Sequence, residues 1–349
     1  MSHRHRNAAS LHDVARVAGV SAQTVSRVAN GSDLVRPDTA ARVRQAMELT
    51  VYRPNFAARA LKRGSFHDIG VILFNITQTG NMLLLHGISA AAARQGYAIT
   101  LITLDDADAR HPMTTLDAAI SRIAALPVDG AIIALENAPD DIASFAPPED
   151  LPTVLITDGP LPHCATVDVD QTDCSRQAVT RLLNAGHRTV HHITGPSRSR
   201  ASQAREQAWA DTLRDHGVTP PEPLRGDWSA DSGYDAGLRL AEDGTCTAVY
   251  ASNDQMAYGC IQALRHCGKR VPEDVSVIGV DDSLGGYVPR LDLTTMHIPF
   301  GTIGRAAFDM VMSACEGESL PVNVRSTIPP HLVERNSVSD FPSFPGPAK

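Results

Sequence analysis

The fold of this chain is constrained most tightly by one stretch near its N-terminus, residues 10–31, with the sequence SLHDVARVAGVSAQTVSRVANG. Ser10 is suited to cap a first helix, whose apolar residues then recur at helical spacing. Those residues are Leu11, Val14, Ala15 and Ala18. Gly19 ends that helix, and Ser21 caps a second one over residues 22–29. Two short helices joined by a tight turn predict a helix-turn-helix, although an ordinary αα-hairpin shares the local pattern.

A third helix is expected after Arg36, because proline, here Pro37, is favoured in a first helical turn. Its predicted packing face carries Val43, Ala46, Met47 and Leu49. Positive charge is concentrated in this region, since residues 1–65 carry eleven Lys or Arg against four Asp or Glu, a net +7. The rest of the chain carries 20 Lys or Arg against 35 Asp or Glu, a net charge of −15. A basic head on an acidic body predicts that only the head binds nucleic acid.

The bulk properties are those of an ordinary globular protein. The 349 residues suffice for two or three compact units. No apolar run approaches the roughly 20 residues of a membrane span, and the N-terminus lacks the apolar segment of a signal peptide. We therefore expect a cytoplasmic protein that is associated with the nucleoid and has no membrane partner. The six cysteines show no C-x-x-C spacing and are interpreted as reduced core thiols, and His191-His192 as strand residues, so no metal or cofactor is predicted.

From residue 69 onward, short apolar strands alternate with amphipathic helices. Strands are predicted at 69–74, 98–103, 131–135, 154–157, 190–194, 248–251 and 276–280. Helices are predicted at 83–94, 116–126, 174–184, 203–216, 233–242 and 254–266. Continuous apolar strands between helices indicate an α/β architecture whose parallel sheets are covered on both faces.

The first two helices match the signature D-V-A-x-x-A-G-V-S-x-x-T-V-S-R-V-x-N. The matching residues are Asp13-Val14-Ala15, Ala18-Gly19-Val20-Ser21, Thr24-Val25-Ser26-Arg27-Val28 and Asn30. In these residues the chain resembles the LacI/GalR, or lactose-repressor, family of transcriptional regulators. The resemblance implies a three-helix DNA-binding domain followed by a two-lobed core with parallel sheets, similar to type I periplasmic binding proteins.

The resemblance also implies which side chains contact DNA. The second helix enters the major groove, where Ala22, Gln23 and Arg27 read the bases. Gln23 can pair with adenine and Arg27 with guanine, whereas Ala22 can contact only a thymine methyl group. Phosphate contacts are expected from the polar residues around them. These are Ser21, Thr24, Ser26 and Asn30.

Residues 55–66 resemble the hinge of this family. The segment FAARALK, residues 56–62, is too short to form a stable helix alone in water. The resemblance implies that it folds when two copies meet in the minor groove, with Leu61 as a wedge in the central base step. Asn55, Ala58 and Arg59 are the other expected DNA contacts of the hinge. A plain linker is the alternative.

The domain layout follows from the same resemblance. The DNA-binding head is expected at residues 1–54 and the core at 67–338. The N-terminal lobe of the core is expected at about 67–165 and 298–326, and the C-terminal lobe at about 166–296 and 327–338. The three crossings between lobes are placed near 164–167, 295–298 and 326–328. Residues 339–349 are expected to form a disordered tail without heptads, so a homodimer is expected.

The crevice between the lobes is the expected effector site, because open α/β sheets bind ligands at the carboxyl ends of their strands. The resemblance assigns six residues to it: Phe74, Arg205, Trp228, Asn253, Asp281 and Phe300. Trp228 is expected to stack on the apolar face of a sugar, and Arg205 to donate hydrogen bonds to its hydroxyl groups. The alternatives are a core tryptophan and a surface helix arginine.

Other positions refine this expectation. Phe74 and Ile298 stand where the resemblance leads one to expect polar residues, so the N-terminal half of the cleft is expected to be more apolar. Asn253 is expected to bind a hydroxyl group while Asp254 caps the next helix. Asp281 is the expected hydroxyl-accepting carboxylate. The adjacent Asp281 and Asp282 could suggest a glycosidase, but neighbouring residues on one loop point apart, and no catalytic residue is predicted.

The sequence therefore predicts a repressor of carbohydrate-utilisation genes that binds a pseudo-palindromic operator as a homodimer. A sugar, with a galactoside among the candidates, is expected to release it from DNA. The first alternative is a regulator of the same fold that uses a non-sugar small molecule as corepressor. A sugar-binding protein without a DNA role is another, but the basic head argues against it. A sugar-processing enzyme would need an acid–base pair that the sequence does not show.

Overall fold

A computed structural model of the chain describes residues 9–29, 32–52, 64–104, 116–135 and 142–341. Contacts between residues divide the chain into two units, with the boundary between Phe66 and His67. Each unit has its own buried apolar cluster. None of the helices in these described ranges combines the length and the apolar character needed to cross a membrane.

The first unit is a bundle of three helices. They are α1 (Leu11–Ala18), α2 (Ala22–Ala29) and α3 (Pro37–Leu49). At the start of α1, Ser10 and Asp13 form a capping box, in which the Asp13 amide donates to Ser10 Oγ and the Ser10 amide to Asp13 Oδ2. Gly19 ends α1 in the left-handed conformation, with φ of 61°, which favours glycine. The Ser21 hydroxyl accepts the Thr24 amide at 3.2 Å and so caps α2.

The core of this unit consists of the predicted faces of the three helices. Its buried residues are Val14, Ala15, Ala18, Val25, Val43 and Ala46. Leu49 was expected to belong to the packing face of α3, but the structure leaves it 71% exposed. It is the last residue of α3 and takes no part in the buried cluster of this unit, so the prediction for Leu49 is wrong.

The second unit contains two six-stranded sheets. The first stretch of chain forms β1 (Asp68–Phe74), α4 (Thr79–Arg94), β2 (Ala98–Leu104), α5 (Leu116–Ala124), β3 (Gly130–Ala134), β4 (Thr153–Ile156) and β5 (Ala165–Val169). The next stretch forms α6 (Gln171–Asn184), β6 (His191–Thr194), α7 (Arg200–Asp215), β7 (Leu224–Arg225), α8 (Ala230–Glu242), β8 (Ala248–Ala251), α9 (Asp254–His266), β9 (Ser276–Asp281) and β10 (Thr294–His297). The last stretch forms α10 (Phe300–Cys315), β11 (Arg325–Ile328) and β12 (His331–Val333).

The N-terminal lobe has the strand order β11-β5-β4-β3-β1-β2, with every neighbouring pair parallel. The C-terminal lobe has the order β12-β10-β9-β8-β6-β7. Its pairs are also parallel, except that the edge strand β12 runs antiparallel to β10. Strands β3, β4, β8 and β9 are buried throughout, as continuous apolar strands covered by helices on both faces require.

The chain passes between the lobes three times, after β5, after β10 and after β11. The first and third passages lie a few residues later than the sequence suggested, and the second lies close to the predicted position. Residues 166–169 and 327–328, assigned to the C-terminal lobe from the sequence, pair instead within the N-terminal sheet. The reason is that β5 and β11 continue their mutual ladder to Val169 and Ile328 before the chain leaves the lobe.

The C-terminal segment and the cysteines also differ from expectation. Residues 339–341 pack on the C-terminal lobe rather than forming a disordered tail, since the Phe341 amide donates to the Ala185 carbonyl and its ring lies 4.9 Å from that of His187. Residues 342–349 lie outside the described ranges. All six cysteines are free thiols and four are buried, but Cys267 is exposed and therefore fills no core site.

Candidate functional site

The first site candidate is the outer surface of α2. Gln23 and Arg27 are exposed, and Val25 between them is fully buried. Residues four apart share one helix face, so the two long polar side chains project from the same side of α2. Ser21 and Thr24 bond to each other, with 2.9 Å between their hydroxyl oxygens, and so present one joined polar group at the start of the helix.

Ala22 and Ser26 are half-buried on the same helix. The remaining predicted DNA contacts lie outside the described residues. These are Asn30, Asn55, Ala58, Arg59 and Leu61.

The second site candidate is a cleft of about 440 Å³ in the second unit, lined by residues of both lobes. The structure brings five of the six predicted effector residues together there. They are Arg205, Trp228, Asn253, Asp281 and Phe300. All five stand at ends of helices or strands, or on a helix that faces the crevice, as expected for an open α/β sheet.

Phe74 is the predicted effector residue that does not line the cleft. It is the last residue of β1, and its side chain is packed in a buried apolar cluster with Ile102, Leu104 and Leu135. Successive side chains of a strand point to opposite faces of the sheet, and this alternation places the Phe74 side chain in the core of the N-terminal lobe.

Arg205 lies on α7 and is only 5% exposed, so it is no surface helix arginine. Its Nε donates to Gln171 Oε1 at 2.8 Å, and its Nη1 donates to the Ser252 carbonyl. Its Nη2 lies 4.0 Å from Asp281 Oδ1. These contacts fix the plane of the guanidinium at the cleft wall, with donor hydrogens left for a ligand.

Asp281 is the carboxylate that faces this guanidinium. Burial raises the pKa of Asp281 to about 7, although the nearby charge of Arg205 opposes the rise. Its backbone has a φ of 111°, and the next residue, Asp282, has a φ of 56°. Two such residues in succession cost about 1–3 kcal/mol each.

A clamp on Asp282 holds this loop in place. Arg335 Nη2 donates to Asp282 Oδ1 at 2.6 Å, and His297 Nδ1 lies 3.3 Å from Oδ2. Arg335 also donates from Nη1 to the Leu293 carbonyl. The Asp282 carboxylate therefore holds the loop, while the Asp281 carboxylate lies at the cleft. The two carboxylates do not face each other across a ligand, as the catalytic pair of a glycosidase does.

Asn253 has the capping role that was expected of Asp254, and it also lines the cleft. The Asn253 side chain, not that of Asp254, caps α9 by accepting the Met256 amide, while its Nδ2 donates to the Trp228 carbonyl at 2.9 Å. Asp254 is fully buried and accepts the Ser283 amide and the Thr295 hydroxyl. Burial, together with repulsion from Asp281, raises the pKa of Asp254 to about 8.

Trp228 lies at the mouth of the cleft on a strained backbone, with a φ of 74°. The indole covers Gly195 so closely that a Cβ built there would lie 2.3 Å from Cη2 and 2.4 Å from Cζ2. Trp228 is half-buried against the apolar cluster of the C-terminal lobe, and its remaining surface faces the cleft. The ring is therefore both packed and available for stacking.

Substituting Gly195→Ala should displace the indole and weaken effector binding. The new methyl group would occupy the space of the ring, and an overpacked contact of this kind costs about 1–3 kcal/mol. We expect effector affinity to fall by about tenfold or more, with a shift of the Trp228 emission maximum. The matched control is Gly244→Ala, where a Cβ meets no atom within 4 Å. Equal affinities of the two variants would show that the indole does not contact the effector.

Several residues of the cleft were missed by the sequence analysis. Asp168, at the end of β5, and Gln171, at the start of α6, flank the first passage between lobes. Gln255 Nε2 donates to Thr79 Oγ1 at 2.9 Å and so links the C-terminal lobe to α4. Gln255 Oε1 is buried without a hydrogen-bond partner among the described residues. The position of Asp168 near a strand end was the signal that could have identified it.

The N-terminal wall of the cleft combines polar and apolar side chains. Its polar residues are Thr77, Gln78, Thr79, Asn81 and Asp168, and its apolar residues are Leu84, Ala134, Leu135, Ile156 and Phe300. Asn81 Nδ2 also donates to the carbonyl of Asn75, at 3.2 Å. Within the described ranges no three His, Cys, Asp or Glu side chains are grouped to hold a metal ion. The arrangement of carboxylate, amide and guanidinium groups beside two aromatic rings suits a polar ligand with an apolar face.

Two family models match this chain, one near its N-terminus and one in its C-terminal part. Residues 10–55 match the model described as bacterial regulatory proteins, lacI family, and residues 179–338 match a periplasmic binding protein-like domain. The lactose operon repressor of Escherichia coli is 30% identical over 335 residues, which are 94% of this chain and 90% of that protein. The regulator GalS of Salmonella typhimurium is 30% identical over 337 residues, 95% of this chain and 96% of that one. The repressor PurR of Haemophilus influenzae is 29% identical over 344 residues, 95% of this chain and 99% of that one.

Solved structures agree as well. The lac repressor dimer bound to operator and the anti-inducer ONPF aligns with a TM-score of 0.83 and 28% identity, over 95% of this chain and 99% of that one. The regulator CelR in complex with cellobiose aligns with a TM-score of 0.68 and 28% identity, over 94% of this chain and 99% of that one. With the three-helix head, the two-lobed core and relatives that match along nearly the whole chain, this protein belongs to the lacI family of DNA-binding transcriptional repressors.

Proposed function

We propose that the protein is a homodimeric repressor of carbohydrate-utilisation genes whose effector is a sugar. The observation that carries this proposal is the cleft, where Arg205, Asp281 and Gln255 offer donors and acceptors beside the ring of Trp228. Sugars present hydroxyl groups at their edges and an apolar C–H face, which such a wall complements. The similarity to CelR, whose structure holds cellobiose, and to the lactose operon repressor points the same way.

The DNA-binding part of the proposal uses two copies of the head. Each copy places α2 in a major groove, with Gln23 and Arg27 directed at base edges. Two copies related by a two-fold axis require a pseudo-palindromic operator. The similarity to a lac repressor dimer bound to operator supports this arrangement. The hinge segment 55–66 connects each head to the core and is proposed to insert Leu61 into the central minor groove.

Effector and operator are coupled through the arrangement of the lobes. A ligand in the cleft contacts both lobes, and it shifts the equilibrium only by its preference for one lobe arrangement. Coupling is reciprocal, so an effector that weakens operator binding must itself bind more weakly to the DNA complex. We propose that the sugar favours the arrangement in which the hinges separate and the operator is released.

A corepressor is the second candidate. PurR resembles this chain along its whole length, and Trp228 and Phe300 could enclose a flat heterocycle as well as a sugar. The two candidates differ in the sign of the coupling. A corepressor would raise operator affinity, whereas an inducer would lower it.

The test combines fluorescence titration with operator binding. The full-length protein is titrated with glucose, galactose, lactose and cellobiose, and in parallel with adenine and guanine. Trp228→Phe serves as the control, because the only other tryptophan, Trp209, is buried in the core. Binding to the DNA that flanks its own gene is then measured with and without each ligand. A sugar that binds and weakens the DNA complex is the expected result, and formation of a new sugar product would contradict the proposal.

Substituting Arg27→Ala tests the reading of bases by α2. Loss of one bidentate contact should cost about 1–3 kcal/mol and relax the preference at one base pair of each half-site. The matched control is Arg42→Ala, which removes the same charge from an exposed position on α3. Affinities for single-base operator variants decide the outcome. Uniform weakening across all operators would show that Arg27 contacts only phosphate.

A further inference from the structure

The lining of the cleft carries more negative than positive charge. Four of its lining residues are ionisable within the described chain, namely Asp168, Asp227, Asp281 and Arg205. The single guanidinium already donates to Gln171 and to the Ser252 carbonyl and faces Asp281. Even with Asp281 partly protonated at neutral pH, Asp168 and Asp227 leave the lining negative, so an anionic ligand would meet net repulsion.

Asp168 differs from the other two carboxylates in its position. Asp227 is exposed at the rim, where its Oδ1 accepts the Ser229 amide at 2.9 Å. Asp281 belongs to the C-terminal lobe. Asp168 is the ionisable lining residue of the N-terminal lobe within the described chain, near the end of β5 and three residues before Gln171.

The hydrogen bonding of Asp168 orients its carboxylate and leaves one of its two oxygens available. Its Oδ1 accepts the Val169 amide at 2.7 Å, which orients the group. The nearby Arg325 pairs with Asp158 at 2.6 Å and donates to the Val169 carbonyl at 2.6 Å, with no hydrogen bond to Asp168 among the described residues. Its charge favours the ionised form of Asp168. Burial raises the pKa of Asp168 to about 6, so most molecules carry it ionised at neutral pH. The second oxygen is left as an acceptor toward the cleft.

We propose that Asp168 determines specificity, by accepting hydroxyl hydrogen bonds from a neutral carbohydrate on the N-terminal lobe and by rejecting sugars that carry a phosphate or carboxylate. The ligand is then held from both sides, by Asp168 of one lobe and by Arg205 and Asp281 of the other. This inference rests on the proposed sugar effector and deepens it. A binding site discriminates between ligands partly through contacts that repel the wrong one, and a carboxylate in the cleft wall repels an anionic sugar.

The experiment measures affinities of the full-length protein for matched pairs of ligands. The probes are glucose and galactose with their 6-phosphates, galacturonate, and the disaccharides lactose and cellobiose. For the wild type we expect the neutral member of a pair to bind about 100-fold or more tightly than the anionic one. Asp168→Asn should narrow this ratio by about tenfold, because the repulsion is removed and one acceptor oxygen is kept. Asp168→Ala should also weaken the neutral sugar, by about tenfold, because both acceptors are lost.

Asp235→Asn is the matched control, since it removes an equal charge from an exposed position on α8 that does not line the cleft. Its ratio of neutral to anionic affinity should stay close to that of the wild type. Operator binding and thermal melting report whether each variant is folded, and Asp168→Ser provides a second small polar replacement. An unchanged ratio in Asp168→Asn, or an equal change in Asp235→Asn, would overturn the role of Asp168 while leaving the sugar effector intact. If no sugar bound the wild type, the proposed function itself would fail, and this inference with it.

Discussion

Arg205→Met should yield a repressor that binds its operator normally but no longer responds to effector. The guanidinium supplies the cation of the cleft and, through its contacts with Gln171 and the Ser252 carbonyl, joins α7 to the start of α6 and the end of β8. Methionine has comparable length but no donor. Losing hydrogen bonds from a charged group costs about 1.5–3 kcal/mol each, so effector affinity should fall by about 100-fold or more.

The same substitution should lower stability by less than the loss of an ordinary buried ion pair. Removing one partner of such a pair costs about 3–5 kcal/mol when the other charge stays buried. Here the raised pKa of Asp281, about 7, lets the carboxylate take up a proton instead. The pKa of Asp281 should rise further without Arg205. Stability falls as pH rises from the unfolded to the folded pKa of a carboxyl group, so the variant should lose stability relative to the wild type chiefly above pH 7, where Asp281 of the wild type is already ionised.

The measurements for Arg205→Met are effector titration, operator binding and melting temperature at pH 6 and pH 8. Arg214→Met is the matched control, because Arg214 lies on the same helix but is exposed and pairs with Asp211 at 2.7 Å. The control should bind the effector as the wild type does. An Arg205→Met protein with unchanged effector affinity would show that the ligand does not contact this guanidinium.

The head could be predicted from the sequence almost residue by residue. Its signals are local: a cap at Ser10, a left-handed Gly19 and apolar residues at helical spacing. Leu49 was misassigned because spacing identifies a helix face but not the point where that face runs out of partners. Likewise, the first and third passages between lobes were placed early because the ladder of β5 and β11 joins residues about 160 positions apart, which no local pattern reveals.

The cleft was predictable at the level of strand ends but not at the level of side-chain partners. Arg205 and Asp281 were found because both occupy recognisable positions. The burial of Asp254 could not be predicted from local sequence, because its partners Thr295 and Ser283 lie far along the chain. Phe74 was expected to line the cleft, but its side chain lies on the other face of β1, in a buried apolar cluster. Asp168 was missed because residues 164–167 were interpreted as a passage between lobes, so the strand β5 and its end beside the crevice were not recognised.

The packing of α8 against α9 sets the geometry of two effector residues. Trp228 immediately precedes the cap of α8, and Asn253 caps α9, so the spacing of these helices sets the distance between the two side chains. Gly259 on α9 faces the backbone of α8. A Cβ built on it would lie 1.9 Å from the Ala230 carbonyl oxygen and 2.8 Å from the Tyr234 nitrogen. The neighbouring atoms belong to the main chain, so no rotamer change can make room for a methyl group.

Gly259→Ala should therefore destabilise the protein although alanine favours a helix by about 1 kcal/mol over glycine. Forcing the helices apart costs about 3 kcal/mol or more, so we expect the melting temperature to fall by about 5–10 °C and the effector to bind more weakly. Gly301→Ala is the matched control, since it places the same methyl group in α10 with no atom within 4 Å, and it should be neutral or slightly stabilising. Melting curves of the two variants, measured with and without sugar, show whether the overpacked contact or the higher helix propensity of alanine determines the stability of Gly259→Ala. Equal melting temperatures would mean that α8 and α9 can separate freely, and Trp228 and Asn253 would then not be held at a fixed distance.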